Sequence, residues 1–263
     1  MKNINLKDTF NKVVTMYDKA RPTYPGELLD DVLSFSGVSS FENALEVGAG
    51  TGQATDLFIN KTDSLDIVEV GDQQVEYLRN KYDEKNVRIF QSYFEDFCSD
   101  KKYDLIFSAT AFHWVDASIG YPKSWNMLVD GGTMAVFWHM SSVTLHSEGI
   151  FIGLNEIKKK YLPNESLGFD EKGIETVREK RISQIHSGNY FGYPEMKEYR
   201  WIDTYDADRY ALLLESYSST QTLDAEQREK YLAEVKEYIH TNGGLVEMPQ
   251  HVMLYLVRKG VQK

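Results

Sequence analysis

Short apolar runs alternate with helical spacings through the first 140 residues. Ala44–Val47 is a compact apolar strand, and beyond it Ala54, Leu57 and Phe58 share one helical face. Leu65–Val70 reads as a second strand. Asp72 then stands where a helix cap belongs, ahead of Val75, Leu78 and Tyr82 on one side of a helix. Val87–Phe90 is a third strand and Tyr103–Ser108 a fourth, whose uninterrupted Leu105-Ile106-Phe107 suits burial on both faces. Trp125–Leu128 closes a helix, Asp130-Gly131-Gly132 makes a turn, and Thr133–Trp138 is a fifth strand. Strands alternating with helices predict βαβ units and a parallel sheet.

The rhythm fades afterwards. Residues 140–195 carry weak periodicity, scattered aromatics and many charges, which predicts helical segments forming an insertion or lid. Trp201–Tyr205 alternates as a strand does. Asp224 and Gln227 have capping-box spacing. The helix that follows runs to about His240 and stops at Gly243-Gly244. His251–Val257 reads as the last strand. No internal repeat or low-complexity segment interrupts the pattern.

The junction after the first strand carries the chemistry. Ala44-Leu45-Glu46-Val47-Gly48-Ala49-Gly50-Thr51-Gly52 ends an apolar run in an acid and then places glycine at alternate positions. Such a turn lets main chain approach a ligand closely. G-x-G-x-G differs from the dinucleotide fingerprint G-x-G-x-x-G, and Gln53 stands where that fingerprint wants a small residue. Glu46 would repel a pyrophosphate. The loop therefore suits a cationic or zwitterionic nucleoside. Glu69, at the end of the second strand, is placed to accept hydrogen bonds from ribose hydroxyls.

Composition narrows the setting. The chain has 263 residues, 42% hydrophobic and 13% aromatic, enough for one α/β domain with an extra lobe or for two small domains. A net charge of -11 disfavours nucleic-acid phosphates. The basic runs Lys158-Lys159-Lys160 and Arg178–Arg181 read as solvated helix faces. The one cysteine, Cys98, excludes an internal disulfide and reads as a small buried side chain. The six histidines lack H-E-x-x-H spacing, and no G-x-S-x-G elbow or P-loop occurs, so no metal is expected. Without a signal-peptide core at Met1–Asp8 or a membrane-length apolar run, a soluble cytoplasmic protein is expected.

Leu45–Gly52 resembles the first motif of the class I S-adenosylmethionine-dependent methyltransferases, and Glu69 in Val68-Glu69-Val70 resembles their second. Tyr17-Asp18-Lys19-Ala20-Arg21-Pro22-Thr23-Tyr24-Pro25 and Ala111-Phe112-His113-Trp114-Val115-Asp116 are similar to signatures of a small-molecule subgroup, the trans-aconitate methyltransferase-like enzymes. The pattern from Tyr217 through Gly244 to the last strand looks like this group as well, so the resemblance spans most of the chain. It is weakest over residues 140–200.

The resemblance implies an α/β, Rossmann-like class I methyltransferase fold. This has a mostly parallel seven-stranded sheet, an antiparallel last strand and a helical insertion or lid. Residues 1–139 would form an N-terminal segment and the cofactor-binding core, 140–200 the lid, and 201–263 the closing strands and helix. The implied cofactor is S-adenosyl-L-methionine and the implied partner a small-molecule methyl acceptor, with no nucleic acid and no membrane, on a monomer or homodimer. O-methylation of a carboxylate or hydroxyl is expected, with N-methylation an alternative. The cofactor-binding residues implied are Tyr17, Arg21, Glu46, Gly48, Ala49, Gly50, Gly52, Glu69, Val70, Tyr93, Phe94, Glu95, Ala109, His113 and Trp114, and the catalytic ones His113 and Arg21. Where many relatives carry an Asp-Ala-Glu-like stretch for adenine, this chain has Ser92-Tyr93-Phe94-Glu95-Asp96, so the residue that meets adenine stays open.

Physical chemistry offers each candidate a role. Arg21 has a fork suited to a carboxylate of the cofactor, the acceptor or the protein itself. His113 can take a proton from a hydroxyl or amine, or position a carboxylate that needs no base. Glu46 is expected near the cofactor's ammonium end, and Trp114 as a pocket wall. Tyr161, Tyr190, Phe191, Tyr193, Tyr199 and Trp201 either line a pocket or form a small second core. The competing readings are a nicotinamide oxidoreductase, a noncatalytic nucleoside-binding module, and a methyltransferase acting on RNA or protein.

Overall fold

The computed structural model describes residues 20–83, 86–140, 148–165 and 171–260. One seven-stranded sheet has the order β3-β2-β1-β4-β5-β7-β6. The strands are β1 Phe41–Val47, β2 Thr62–Glu69, β3 Val87–Gln91, β4 Tyr103–Ala109, β5 Leu128–His139, β6 Glu195–Asp206 and β7 Leu245–Arg258. The β3-β2-β1-β4-β5 neighbours pair in parallel, and β7 runs antiparallel to β5. This is the mostly parallel α/β sheet expected from the alternating pattern.

The chain divides into two compact units. The first to describe contains residues 23–139, 176–199 and 252–263. Ala44, Leu45, Leu105, Ile106 and Phe107 are all fully buried, because helices cover both sheet faces and leave no polar alternation. Phe58, on the helix Gln53–Phe58, stacks on Phe107 with ring centroids 4.3 Å apart. Asp66 is fully buried but accepts from Arg88 at 2.8 and 2.6 Å and from the Tyr103 hydroxyl at 2.8 Å. Lys101 lies 3.8 Å from the same carboxylate, so two cations compensate it.

The other unit contains, among the described residues, 20–22, 140, 148–165, 171–175 and 200–251. Its core draws Phe151, Leu154 and Ile157 together with Tyr210, Leu213, Tyr231, Val235 and Ile239. These lie on the helices Phe151–Tyr161, Ala207–Glu215 and Ala225–Thr241. The Asp224 carboxylate accepts from Gln227 N at 2.8 Å, as the capping spacing predicts. The helix stops where Gly244 N donates to the Ile239 carbonyl, at 2.9 Å.

Three expectations need correction. Asp130-Gly131-Gly132 does not precede the fifth strand; it is a bulge inside β5, where pairing with β4 jumps from Tyr103↔Leu128 to Leu105↔Thr133. Asp72 is the first residue of the helix Asp72–Lys81 rather than its cap, and its carboxylate accepts from Gln91. Cys98 is exposed, not buried, because it sits in the loop leading to β4.

Candidate functional site

The carboxyl ends of β1, β2 and β4 converge on the glycine loop. Gly48, Gly50 and Gly52 all have left-handed backbone, with φ of 73°, 59° and 94°. A Cβ on Gly48 would lie 2.5 Å from the Ala111 Cβ, so the loop abuts the segment leaving β4. A Cβ on Gly50 would meet nothing within 4 Å, which leaves open space over the main chain there. Glu69 joins this loop to the end of β2. One carboxylate oxygen accepts from Gly50 N at 2.9 Å, the other from Val70 N at 2.8 Å and Gly71 N at 2.9 Å. A carboxylate has about four acceptor positions, so capacity remains for a ligand hydroxyl. The loop is braced from behind. The Tyr82 hydroxyl donates to Asp56 at 2.8 Å and sits 3.1 Å from the Gly52 carbonyl, while Lys81 reaches the Thr51 carbonyl at 3.1 Å and Asp56 at 2.7 Å.

Glu46 is fully buried one residue before the end of β1. Thr55 donates its hydroxyl to one carboxylate oxygen at 2.5 Å, and the other oxygen has no partner among the described residues. Burial pushes its pKa up to about 8, against the Thr55 bond and with a smaller push from Glu69 and Asp56. It is not a solvated strand-end acid.

Beyond β4 the chain turns on Thr110, a β-branched residue with φ of 53°. That conformation costs on the order of 1–3 kcal/mol and is held here by its neighbours. Thr110 N donates to the Phe137 carbonyl at 2.7 Å, its hydroxyl lies 3.1 Å from the Tyr24 hydroxyl, and His139 N donates to it at 3.2 Å. The turn delivers His113 and Trp114. Trp138, from β5, donates its indole N–H to His113 Nδ1 at 3.1 Å. An indole nitrogen only donates, so the neutral imidazole carries its proton on Nε2 and presents a donor outward. His113 has an exposed edge, yet the packed side of its ring and the nearby Arg181 charge push its pKa down to about 4. Arg181, from the helix Glu171–His186, lies over the Trp138 ring at 4.3 Å.

The candidates distribute unevenly. Gly48, Ala49, Gly50, Gly52, Glu69 and Glu46 sit at or beneath the loop. Ala109 ends β4, and Trp114 is 82% exposed. Val70 and Tyr93 are exposed and Phe94 is buried, while Glu95 accepts from Asp116 N at 3.0 Å. Arg21 belongs to the unit with the three-helix core and donates to the Ser216 carbonyl at 3.2 Å. Tyr17 lies outside the described residues. The aromatics of residues 161–201 go to separate neighbours: Tyr161 to Tyr231, Tyr190 to Trp125, Tyr193 to His186, and the Tyr199 hydroxyl to Asp31. Sequence reasoning missed Thr110, Trp138 and Arg181. The Arg178–Arg181 run is not a solvated face, since Arg178 pairs with Glu198 and Arg181 covers an indole. A hollow of about 310 Å³ lined by Phe41, Asp104 and Thr133 lies toward the amino ends of β1 and β4, away from the glycine loop. Among the described residues no group of three His, Cys, Asp or Glu could hold a metal, and no helix is long and apolar enough to cross a membrane.

Residues 44–132 match the model of a methyltransferase domain. The chain is 23% identical over 236 residues to an uncharacterized methyltransferase of Schizosaccharomyces pombe, covering 89% of this chain and 88% of that one. It is 30% identical over 135 residues to a malonyl-[acyl-carrier protein] O-methyltransferase of Acetivibrio thermocellus, covering 49% of this chain and 47% of the relative, about half its length. Among solved structures, a candidate methyltransferase from an antibiotic biosynthesis pathway of Anabaena variabilis shares the fold. The TM-score is 0.58 at 14% identity, covering 87% of this chain and 96% of that one. The fold is the Rossmann-like one of class I methyltransferases, and the matched domain and relatives make the chain a methyltransferase. Its methyl donor is S-adenosylmethionine. The residues present fit that cofactor: a left-handed loop with open space over Gly50, a strand-end acid with capacity to spare, and a buried carboxylate oxygen without a partner among the described residues.

Proposed function

We propose that the protein methylates an oxygen of a small acid, with a carboxylate as the nucleophile. The observation that carries this reading is the hydrogen bond from Trp138 to His113 Nδ1. It occupies the basic nitrogen of the one histidine that directly follows β4, so His113 offers an N–H and not a base. A hydroxyl acceptor must lose a proton; a carboxylate has none to lose. The cofactor supplies a methyl group on a sulfonium, already activated for displacement, so the protein's work is alignment and exclusion of water, worth on the order of 7–11 kcal/mol in favourable cases.

In this reading the loop main chain at Gly48, Ala49 and Gly50 meets the methionine and ribose portions. Glu69 accepts from the ribose hydroxyls and Glu46 faces the ammonium end. The stretch Tyr93-Phe94-Glu95, with Val70, borders the adenine. The His113 N–H orients the acceptor oxygen. The likeness of Tyr17–Pro25 and Ala111–Asp116 to the trans-aconitate methyltransferase-like enzymes supports a small acid as acceptor. The relative named for O-methylation of a malonyl group on a carrier protein supports oxygen as the site of transfer.

A screen of small acids and alcohols with a labelled methyl donor tests the reading. Carboxylates should give base-labile esters that release labelled methanol, and His113→Ala should lower their formation. Products that are solely base-stable ethers or amines would sink it.

A further inference from the structure

We propose that Arg181 is the anchor for an anionic group on the methyl acceptor, an inference that rests on the acid acceptor proposed above. The chain carries 40 acidic against 29 basic residues, so arginines find carboxylates easily. Arg88 forks onto Asp66, Arg209 forks onto Asp203, and Arg178 pairs with Glu198. Among the described residues no carboxylate lies within ion-pair distance of Arg181. Among the same residues Arg228 and Arg258 have no ion pair either, but their bonds to Gln221 and to the Phe35 carbonyl are exposed, whereas Arg181 is partly buried. Its Nη1 meets only the Gln184 side-chain oxygen, at 3.3 Å, and its Nε is buried without a partner. A guanidinium taken partly out of water without a counter-charge is costly unless something supplies one.

The surroundings say what that something is. The guanidinium carbon lies 4.3 Å from the centre of the Trp138 ring, which covers one side of the group, and a guanidinium's planar fork matches a carboxylate. The nearby Tyr121 and Tyr255 are both buried, so the site is largely aromatic. Trp138 spends its own N–H on His113 and has no donor left for an anion. The same indole therefore touches two groups: the guanidinium, and the imidazole that follows β4. The segment carrying that imidazole abuts the glycine loop through Ala111 and Gly48. Ligands of parallel sheets bind beyond the carboxyl ends of the strands, which is this edge. A planar fork in an aromatic setting selects a carboxylate and rejects its amide.

Succinate, with its uncharged diamide as control, is the probe. Calorimetry on the full chain saturated with S-adenosylhomocysteine should show succinate binding and no diamide binding. Arg181→Gln should weaken succinate at least tenfold, and Arg181→Lys, which keeps the charge without the fork, should fall between. Affinity for S-adenosylhomocysteine should not change in either variant. Equal succinate affinity in Arg181→Gln, or no succinate binding by the unaltered chain, overturns the assignment. If Arg181→Gln also loses S-adenosylhomocysteine, the lysine variant decides by the same criterion. If no form binds S-adenosylhomocysteine, the cofactor reading fails, and succinate titrated alone still reports on Arg181.

Discussion

Glu46→Gln isolates the energetics of a carboxyl held out of water under the cofactor loop. Burial lifts its pKa from 4.5 to about 8. The folded chain therefore holds a proton that the unfolded chain releases anywhere between those values. By linkage, this group's contribution is most favourable below the lower value and is lost as pH rises through the window. At about 1.4 kcal/mol per unit, the whole window amounts to about 5 kcal/mol. About 3 kcal/mol of that has gone by about pH 7, and roughly 1 kcal/mol more goes by about pH 9. Glutamine keeps an oxygen for the Thr55 hydroxyl and removes the titration. Urea unfolding of both proteins across this range should show the stability difference, variant minus wild type, growing by about 1 kcal/mol between about pH 7 and about pH 9. Saturating S-adenosylmethionine should flatten the wild-type profile, because an ammonium beside the carboxyl favours its ionised form. Parallel profiles for variant and wild type would refute the reasoning, since the carboxyl would then be hydrated in the folded state.

Two further outcomes follow from the site. Gly50→Val puts a branched side chain at φ 59°, over the space left above the loop, and should weaken S-adenosylhomocysteine at least tenfold by calorimetry while costing about 1–2 kcal/mol of stability. His113, pushed down to about 4 by its packing and by Arg181, should titrate there by nuclear magnetic resonance, and Arg181→Gln should move the midpoint up toward 6.5. Its folded pKa is depressed, so protonation favours the unfolded chain, and stability falls with pH from 6.5 toward 4.

The parts of the fold that were legible share one cause. Strands of a parallel sheet are covered on both faces, so Leu105-Ile106-Phe107 and its counterparts had to be continuous apolar runs. The loop was legible because only glycine tolerates three left-handed positions in five residues. Asp130-Gly131-Gly132 misled because a bulge and a chain reversal ask for the same residues. Arg181 was hidden among charges: a run of basic residues on a helix carries no mark of which one lies over a distant indole. Trp138 lay in a strand, where its apolar ring was expected and the use of its N–H was not. Thr110 gave no signal at all, since its backbone is set by partners 86 and 27 positions away, Tyr24 and Phe137.

That threonine has a consequence for how the region can fail. Its torsion is a loaded spring latched by a tyrosine from the far end of the sheet-forming segment and by two main-chain groups of β5. Whatever loosens the latch re-aims the four residues that follow, imidazole included, without touching a ligand. Damage at Tyr24, an unremarkable aromatic between two prolines, would therefore masquerade as damage to the chemistry.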